Sequence, residues 1–488
     1  MSNDLTAATM ALEQGRFGDV LSSLQRAAEL ETRDAMHWQR ILDIAGRIGD
    51  DDVALQAVRH LVALAPKDMR RRVILRELLS QTSRAREALN VARKLEEEDP
   101  TDPLLSIATA VLLGRLGRED EAVRALRAVL RRAPQLALAW EIMAGLKSFR
   151  ADDPDFRELE RIARISPDRP ETAALAYALG KAYEDLGNFE QALRWFTRGS
   201  ARVLGNRLPR MDSFFQEALD VRAAFPAERI TAGQTHTRTE RPVFVLGCPR
   251  SGTTLLEKIL VTDPAAISGG ELKLLRLACL GFTPPSPARV DAFVQAFGSE
   301  TQAWNRAAET YVHKVKARLG QADGVVDKGL INYLYVGAAA MGLTQARFIH
   351  VRRNPMDGAW SCFRRRFHQG MAWSYDFESI AAFMRVYQDT MDHWNAVLPG
   401  RILTVDFEKL VDDAENETAR IFDFAGLQRP VDWASFHEKK GAVFTSSQLQ
   451  VRRPLNSDGV GAWRRYEKFL GPLRDSLARN GVRGVADA

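Results

Sequence analysis

The stretch VFVLGCPRSGTTLLEKIL, residues 243–260, runs from an apolar, strand-like segment through a turn rich in glycine and hydroxyl groups into an apolar-periodic helix. Gly247 and Gly252 keep the spacing of the nucleotide-triphosphate loop, G-x-x-x-x-G-K-[ST]. In that layout backbone N–H groups point at an anion, and the following helix adds the positive end of its dipole. Thr253 stands at the lysine position, so a kinase or ATPase function loses its main support. The stretch instead predicts a site for a terminal 5′-phosphate group, with Arg250 as the fixed charge.

Beyond residue 238, short β-branched runs alternate with helical stretches. The strand-like runs read PVFVLG, GVVD, ARFIHV and RILTVDF. This alternation is typical of a parallel sheet with helices on both faces. We therefore predict an α/β domain of the P-loop type over residues 239–488. A helix over 209–224 and a linker are predicted within the preceding segment, 201–238.

A 34-residue period runs through the first two hundred residues. Four small residues are spaced by that period: Gly15, Gly49, Ser83 and Gly117. The pattern strongly resembles the tetratricopeptide repeat, a helix–turn–helix unit. We predict an all-α solenoid over residues 1–200, with five clear copies and a degenerate one between 140 and 170. Stacked repeats present a concave face, which suits either the docking of a protein or peptide partner or a passive scaffold or dimerisation role.

Composition narrows the function classes. The formal net charge is only +5 over 488 residues, which does not favour nucleic-acid binding. The N-terminal residues lack a basic and an apolar signal region, and no apolar run is long enough to span a bilayer. The three cysteines lie far apart in sequence and form no metal-like pairing. These features predict a cytoplasmic protein with reduced thiols.

The segment PRSGTTLLEKIL resembles the 5′-phosphosulfate loop of sulfotransferases that use 3′-phosphoadenosine 5′-phosphosulfate (PAPS). Four segments match that family in order across residues 240–470, and they look closest to the tyrosylprotein sulfotransferases, which lack the repeats. The resemblance implies PAPS as donor, 3′-phosphoadenosine 5′-phosphate (PAP) as product and a hydroxyl acceptor. It also implies that six loop residues bind the 5′ side: Arg250, Ser251, Gly252, Thr253, Thr254 and Leu255.

The second matching segment is ARFIHVRRNPMDGAWSCF. Family members bind the 3′-phosphate with an arginine and a serine at this spacing, which map to Arg353 and Ser361. Asn354 followed by proline is a typical helix start. We expect Arg352 to be a solvated or pairing charge, and the basic run at 364–367 to be a solvated helix face.

The remaining segments carry the residues expected at the reacting centre. In SGGELKLL, Glu271 corresponds to the family's general base; from its spacing alone, a structural glutamate at a helix start fits equally well. In VVDKGLIN, Lys328 corresponds to the lysine that stabilises the transferring group. His350, inside a strand-like run, is the reserve candidate for the base, although we expect it to be a core residue.

SSQLQVRRPLN resembles a C-terminal family loop. It places Ser447 near the leaving phosphosulfate and Arg453 where the family carries lysine. Phe407 replaces a usual tyrosine. No metal is expected, because no carboxylate pair stands where magnesium would be held. Two alternatives to a sulfotransferase stay open: a P-loop nucleotide kinase or NTPase, and a repeat scaffold with a nucleotide-binding domain. The sequence fixes neither the acceptor, with peptide tyrosine, sugars, lipids and phenols all open, nor the oligomeric state.

Overall fold

Helices built on the 34-residue period form the N-terminal part of the chain. The computed structural model describes residues 3–14, 16–205, 209, 211–232, 239–279, 281, 283–367, 371–438 and 450–485. Within these residues the N-terminal helices are α1 (Asn3–Glu13), α2 (Phe17–Ala28), α3 (Ala35–Ile48), α4 (Asp51–Leu64), α5 (Met69–Gln81), α6 (Ala85–Glu98), α7 (Pro103–Arg115), α8 (Glu119–Arg132), α9 (Ala137–Leu146), α10 (Pro154–Ile165), α11 (Ala173–Asp185) and α12 (Phe189–Leu204).

The period has a local physical cause at both ends of the first helix of a repeat. Aspartates spaced by 34 residues cap α3, α5 and α7, because each accepts a hydrogen bond from a backbone N–H of the first turn: Asp34, Asp68 and Asp102. After these helices the chain turns through a left-handed residue, with φ of 79° at Gly49, 65° at Ser83 and 76° at Gly117. Ser83 is therefore the strained member of the series, because a side chain disfavours this conformation.

Consecutive helices pair off along the array, with one exception. α1 packs on α2, α3 on α4, α5 on α6, α7 on α8 and α11 on α12. α9 and α10 instead pack mainly against α11, which is where the sequence predicts the degenerate copy. None of the helices in the described parts of the chain is both long and apolar enough to cross a bilayer.

The segment predicted as helix and linker contains two helices, α13 (Asp212–Ala224) and α14 (Ala227–Ala232). Between them, Phe225 is fully buried against the rings of Trp304 and Trp394, with centroids 5.8 and 5.9 Å away. The connection is thus packed into the C-terminal domain before residue 233.

The C-terminal domain is built on five parallel strands: β1 (Val243–Gly247), β2 (Ile267–Gly270), β3 (Val325–Asp327), β4 (Arg347–Arg352) and β5 (Ile402–Asp406). Their order in the sheet is β2-β3-β1-β4-β5. The chain leaves β1 towards one side and later returns to the other, so β1 lies at the switch point of the topology. Ligands of open α/β sheets bind there, outside the carboxyl ends of the strands.

Helices cover both faces of the sheet: α15 (Thr253–Leu260), α16 (Leu274–Ala278), α17 (Pro287–Phe297), α18 (Glu300–Leu319), α19 (Val336–Gly342), α20 (Pro355–Phe363), α21 (Phe377–Val397), α22 (Phe407–Asp412), α23 (Ala414–Ala425) and α24 (Gly471–Arg479). Successive strand residues alternate between two buried clusters. Phe244 and Phe348 join a core that continues into the repeats, whereas Val245 and Ile349 join a smaller core on the other face.

The last repeat shares an apolar contact with the C-terminal domain. Phe196 on α12 lies edge-on to Trp360, 5.9 Å between centroids, and Phe189 lies edge-on to Tyr466, 5.0 Å away. Trp360 and Tyr466 are each only 1% exposed. The two parts of the chain therefore complete one another's cores here.

Ion pairs extend this contact between the repeats and the C-terminal domain. They show that one prediction from the sequence was wrong. The basic run at 364–367 is not a solvated helix face: Arg364 pairs with Glu184, and Arg366 forms a two-point ion pair with Glu141 at 2.5 and 2.8 Å. Both glutamates belong to the repeats, 180 and 225 residues away in sequence. The local sequence could not predict these ion pairs, because the two glutamates lie in a distant part of the chain.

The second repeat meets the C-terminal domain through an acidic turn. Asp50 is buried and pairs with buried Lys314 at 2.5 Å, and Asp52 holds Arg318 at 2.7 Å. Since a buried charge that loses its partner is costly, these pairs fix the register between the repeats and α18.

Candidate active site

A tight turn connects β1 to α15 at the carboxyl edge of the sheet. Arg250 has φ of 73° and Gly252 has φ of 105°. A Cβ at Gly247 would lie 2.3 Å from Ser251 Oγ, and one at Gly252 would lie 2.4 Å from the Phe407 ring. Both glycines are therefore required by close packing. The first N–H groups of α15 have no carbonyl four residues earlier to bond, as at every helix start, so this turn presents donors to an anion.

The structure brings Arg250, Arg353 and Ser361 together at this turn. Arg250 Nε donates to Ser361 Oγ at 3.1 Å. Arg353 Nη1 donates to the Arg250 carbonyl at 2.8 Å, and its guanidinium lies 4.9 Å from the centre of the Phe407 ring. The three residues thus form one connected cluster. They come from two predicted segments that are about 100 residues apart in sequence.

The cluster concentrates positive charge where water is largely excluded. Burial lowers the pKa of the Arg250 guanidinium well below its usual range, and three neighbouring guanidiniums lower it further: Arg365, Arg364 and Arg353. Burial also lowers the pKa of Arg353, partly opposed by Asp357 and Glu408. Such shifts mean that burial and the neighbouring positive charges disfavour the charged forms. A bound polyanion would favour them.

Two buried polar atoms at the turn fit such a ligand. Ser251 Oγ and Arg353 Nε have no hydrogen-bond partner among the described residues. Buried polar groups are normally bonded. A hydroxyl and a guanidinium N–H are both donors to phosphate oxygens, so the residues present fit the phosphate groups of a nucleotide.

Glu271 and Lys328 meet at the next strand ends. Glu271 follows β2 directly, and its Oε1 accepts a hydrogen bond from Lys328 Nζ at 2.8 Å. The backbone N–H of Lys328 also donates to the Gly270 carbonyl at 2.9 Å. The lysine side chain is 1% exposed, but the glutamate is 39% exposed. A carboxylate and an ammonium group are thus fixed side by side, with the carboxylate open to an incoming molecule.

A buried carboxyl group supports Lys328 from behind. Asp327 accepts hydrogen bonds from Gly329 N at 3.0 Å, Asn332 Nδ2 at 2.8 Å and Tyr311 Oη at 3.0 Å. Burial outweighs these bonds and raises the pKa of Asp327 to about 6. The network holds the strand end from which Lys328 projects.

Two other predicted residues have different surroundings. Arg352 is exposed and pairs with Asp406 at 2.7 Å. His350 is buried beside the Tyr387 ring, and burial, with the nearby Arg352 charge, lowers its pKa to about 3. It is therefore a neutral core residue.

The C-terminal loop is placed only in part. Ser447 lies outside the described residues. Arg453 is exposed, whereas its neighbour Arg452 turns towards the repeats and donates to the Arg115 carbonyl at 2.8 Å.

Two repeat turns border this end of the sheet. In the second repeat, Asp51 pairs with Lys273 at 3.2 Å, two residues beyond Glu271. In the fourth, Glu119 lies 3.6 Å from Arg452. Repeat residues thus contact the segment that follows Glu271 and, separately, the C-terminal loop at Arg452.

Both parts of the chain match models of known protein families. Residues 242–431 match the model of the sulfotransferase family, and residues 173–199 match a tetratricopeptide-repeat model. The chain carries a sulfotransferase-family domain. Its parallel sheet, the loop at 247–252 and the strand ends that hold Glu271 and Lys328 all lie within the matched segment or its loops.

Three proteins are similar to parts of this chain. An uncharacterized protein of Aquifex aeolicus (strain VF5) is 26% identical over 421 residues, which cover 82% of this chain and 54% of that protein. Protein-tyrosine sulfotransferase 2 of Gallus gallus is 24% identical over 243 residues, 45% of this chain and 62% of that protein. The chain thus spans only about half to two thirds of these relatives' length. The sulfotransferase domain of the Synechococcus PCC 7002 olefin synthase is 21% identical, with a TM-score of 0.35, and covers 48% of this chain and 90% of that domain.

One part of the site in the sulfotransferase-family domain was missed from the sequence. Arg353 Nη2 donates to the Gly459 carbonyl, and buried Asp357 accepts hydrogen bonds from Gly461 N at 2.7 Å and Trp463 N at 3.0 Å. These bonds fold the segment DGVGAW over the cluster. Its two glycines followed by tryptophan were the available signal, but nothing local connects them to Arg353, just after the end of β4 and 106 residues before Gly459, or to Asp357 in α20.

Proposed function

We propose that this protein is a PAPS-dependent sulfotransferase acting on a hydroxyl acceptor. The observation that carries the proposal is the Arg250–Ser361–Arg353 cluster at a phosphate loop that has threonine in place of lysine. A triphosphate-hydrolysing site needs the lysine and a metal.

The cluster has enough donors for both ends of the nucleotide. We assign binding of the 5′-phosphosulfate to Arg250, Ser251 and the backbone N–H groups of residues 252–255 at the start of α15. The 3′-phosphate falls to Ser361 and Arg353, whose unpartnered Nε supports a forked contact. We retain Ser447 and Arg453 as donor-side residues on the resemblance alone.

When bound, PAPS supplies the sulfuryl group. At the acceptor, an oxygen–sulfur bond forms as the bond from sulfur to the bridging phosphate oxygen breaks. We assign the acceptor's proton to Glu271, since Lys328 occupies its Oε1 and leaves Oε2 for the hydroxyl. We assign buried Lys328 and half-buried Arg250 to stabilise negative charge on the transferring and leaving groups. Each such donor contributes about 3–4 kcal/mol in related acyl-transfer sites.

The repeats are proposed to contribute to acceptor docking. The turn that carries Asp51 pairs with Lys273, two residues beyond Glu271, so a large acceptor that reaches Glu271 would pass close to this turn. The name of the chicken relative makes peptide or protein tyrosine the first acceptor to test. We propose a reducing, cytoplasmic setting, in keeping with the three unpaired cysteines.

Transfer of labelled sulfate from PAPS to a panel of phenols, tyrosine peptides, sugars and lipids tests the proposal. We expect transfer to at least one hydroxyl acceptor and none from ATP. Binding of PAP no tighter than that of ATP, or phosphoryl transfer from ATP, would refute it.

A further inference from the structure

Glu257 is a buried carboxylate that the proposed chemistry does not use. It lies on α15, one turn beyond the phosphate loop, and is 3% exposed. Its Oε1 accepts two hydrogen bonds, from Ser268 Oγ at 2.6 Å and from the backbone N–H of Gly270 at 2.8 Å. Gly270 immediately precedes Glu271.

Burying this carboxylate is costly, since both donors are neutral groups. The cost is not offset by an ion pair with any residue the structure describes. We therefore looked for a structural role of Glu257 in the two hydrogen bonds that it accepts.

The backbone near Gly270 needs an external support. β2 is an edge strand of four residues, and its pairing with β3 shifts register between Ser268 and Gly270. Gly270 has φ of 65°. A ladder that is short and irregular leaves the chain loosely held, and Glu257 bonds it on both sides of the irregularity.

We propose that Glu257 is a positioning residue that fixes Glu271 relative to the bound donor. α15 carries Thr253 and Thr254 at its first turn and Glu257 at its second, so one rigid helix sets both the phosphate loop and the Gly270 backbone. The distance from the base to the sulfuryl group then depends on the two bonds to Oε1. This inference rests on the proposed function, because it presumes that Glu271 accepts the proton.

A double-mutant cycle in the full-length protein tests it. Glu257→Ala should lower kcat by roughly 10- to 100-fold, part of the contribution of a general base, and leave the Kd for PAP within about threefold. Glu257→Gln should restore most of the activity, because its amide oxygen can accept both bonds. The double variant Glu257→Ala/Glu271→Gln should be no slower than Glu271→Gln, since a misplaced base and a missing base are the same loss.

Each outcome is decisive. Additive losses in the double variant, or PAP affinity that falls in step with kcat, would overturn the positioning role. Should Glu257→Ala fail to fold, Ser268→Ala and Glu257→Asp give the same cycle with Glu271→Gln, because they remove one bond or withdraw the carboxylate by one methylene. If Glu271→Gln alone leaves kcat unchanged, the proposed base is wrong whatever Glu257 does.

Discussion

Removing the Arg353 guanidinium should abolish the preference for a 3′-phosphate. The side chain has five N–H donors. Among the described residues, single bonds to the carbonyls of Arg250 and Gly459 are observed and Nε has no partner, which leaves three donors unused within that part of the chain. A hydrogen bond to a charged group contributes about 1.5–3 kcal/mol, so loss of a forked pair should cost at least about 3 kcal/mol, or roughly 100-fold in Kd.

Calorimetric titration with PAP and with adenosine 5′-monophosphate measures this directly. Arg353→Ala should weaken PAP binding by roughly 100-fold and adenosine 5′-monophosphate binding by less than about fivefold. Arg352→Ala is the matched control, because the adjacent guanidinium is exposed and pairs with Asp406. Arg353→Lys should recover only part of the affinity, since a point charge cannot form the fork. Equal weakening of both nucleotides would show that Arg353 supports the loop, and the 3′-phosphate assignment would be wrong.

Four further outcomes are expected. Deleting residues 1–200 should leave a chain without cooperative unfolding or near-ultraviolet dichroism, because Trp360 and Tyr466 lose their cover; a folded fragment that binds PAP would contradict the shared core. Ser83→Gly should raise the free energy of unfolding by about 0.5–1 kcal/mol, by removing a side chain from a left-handed residue; in urea, Ser83→Ala should give no such gain. Asp327, whose folded pKa of about 6 lies above its usual 3.8, binds protons more readily when folded, so its contribution to stability should fall by about 2 kcal/mol as pH rises from 4 to 6; Asp327→Asn should remove that decline, and an unchanged slope would refute it. Sulfate transfer should persist in excess chelator, and its loss with recovery on adding magnesium would revive the kinase hypothesis.

Local chemistry explains what the sequence could predict. The repeat period appears because each helix pair needs a cap and a left-handed turn at fixed positions, such as Asp34 and Gly49. The parallel sheet follows from β-branched runs buried on both faces. Arg353 and Ser361 could be paired by the family spacing, and the structure places both beside Arg250; their binding roles stay predictions.

Features formed by distant residues could not be predicted. β2 reads ISGG, which has low strand propensity; it exists because β3 and Glu257 hold it. The charges at 364–367 look like a solvated face until Glu141 and Glu184 are brought to them by the repeats. In both cases tertiary contacts decide what local composition leaves open.

The interface also bears on how the repeats could select an acceptor. Buried Asp50–Lys314 and the aromatic contacts of the last repeat anchor the array at two separate places on the sulfotransferase-family domain. An array held at two places cannot swing as a tethered adaptor would. Its turn at Asp51, which pairs with Lys273 just after Glu271, is therefore held in a fixed position, and acceptors would be chosen by their fit to the space between that turn and Glu271. Loosening the anchor with Asp50→Asn should then alter the KM for a large acceptor more than the KM for a small phenol, whereas equal changes would mean that the repeats serve only as support.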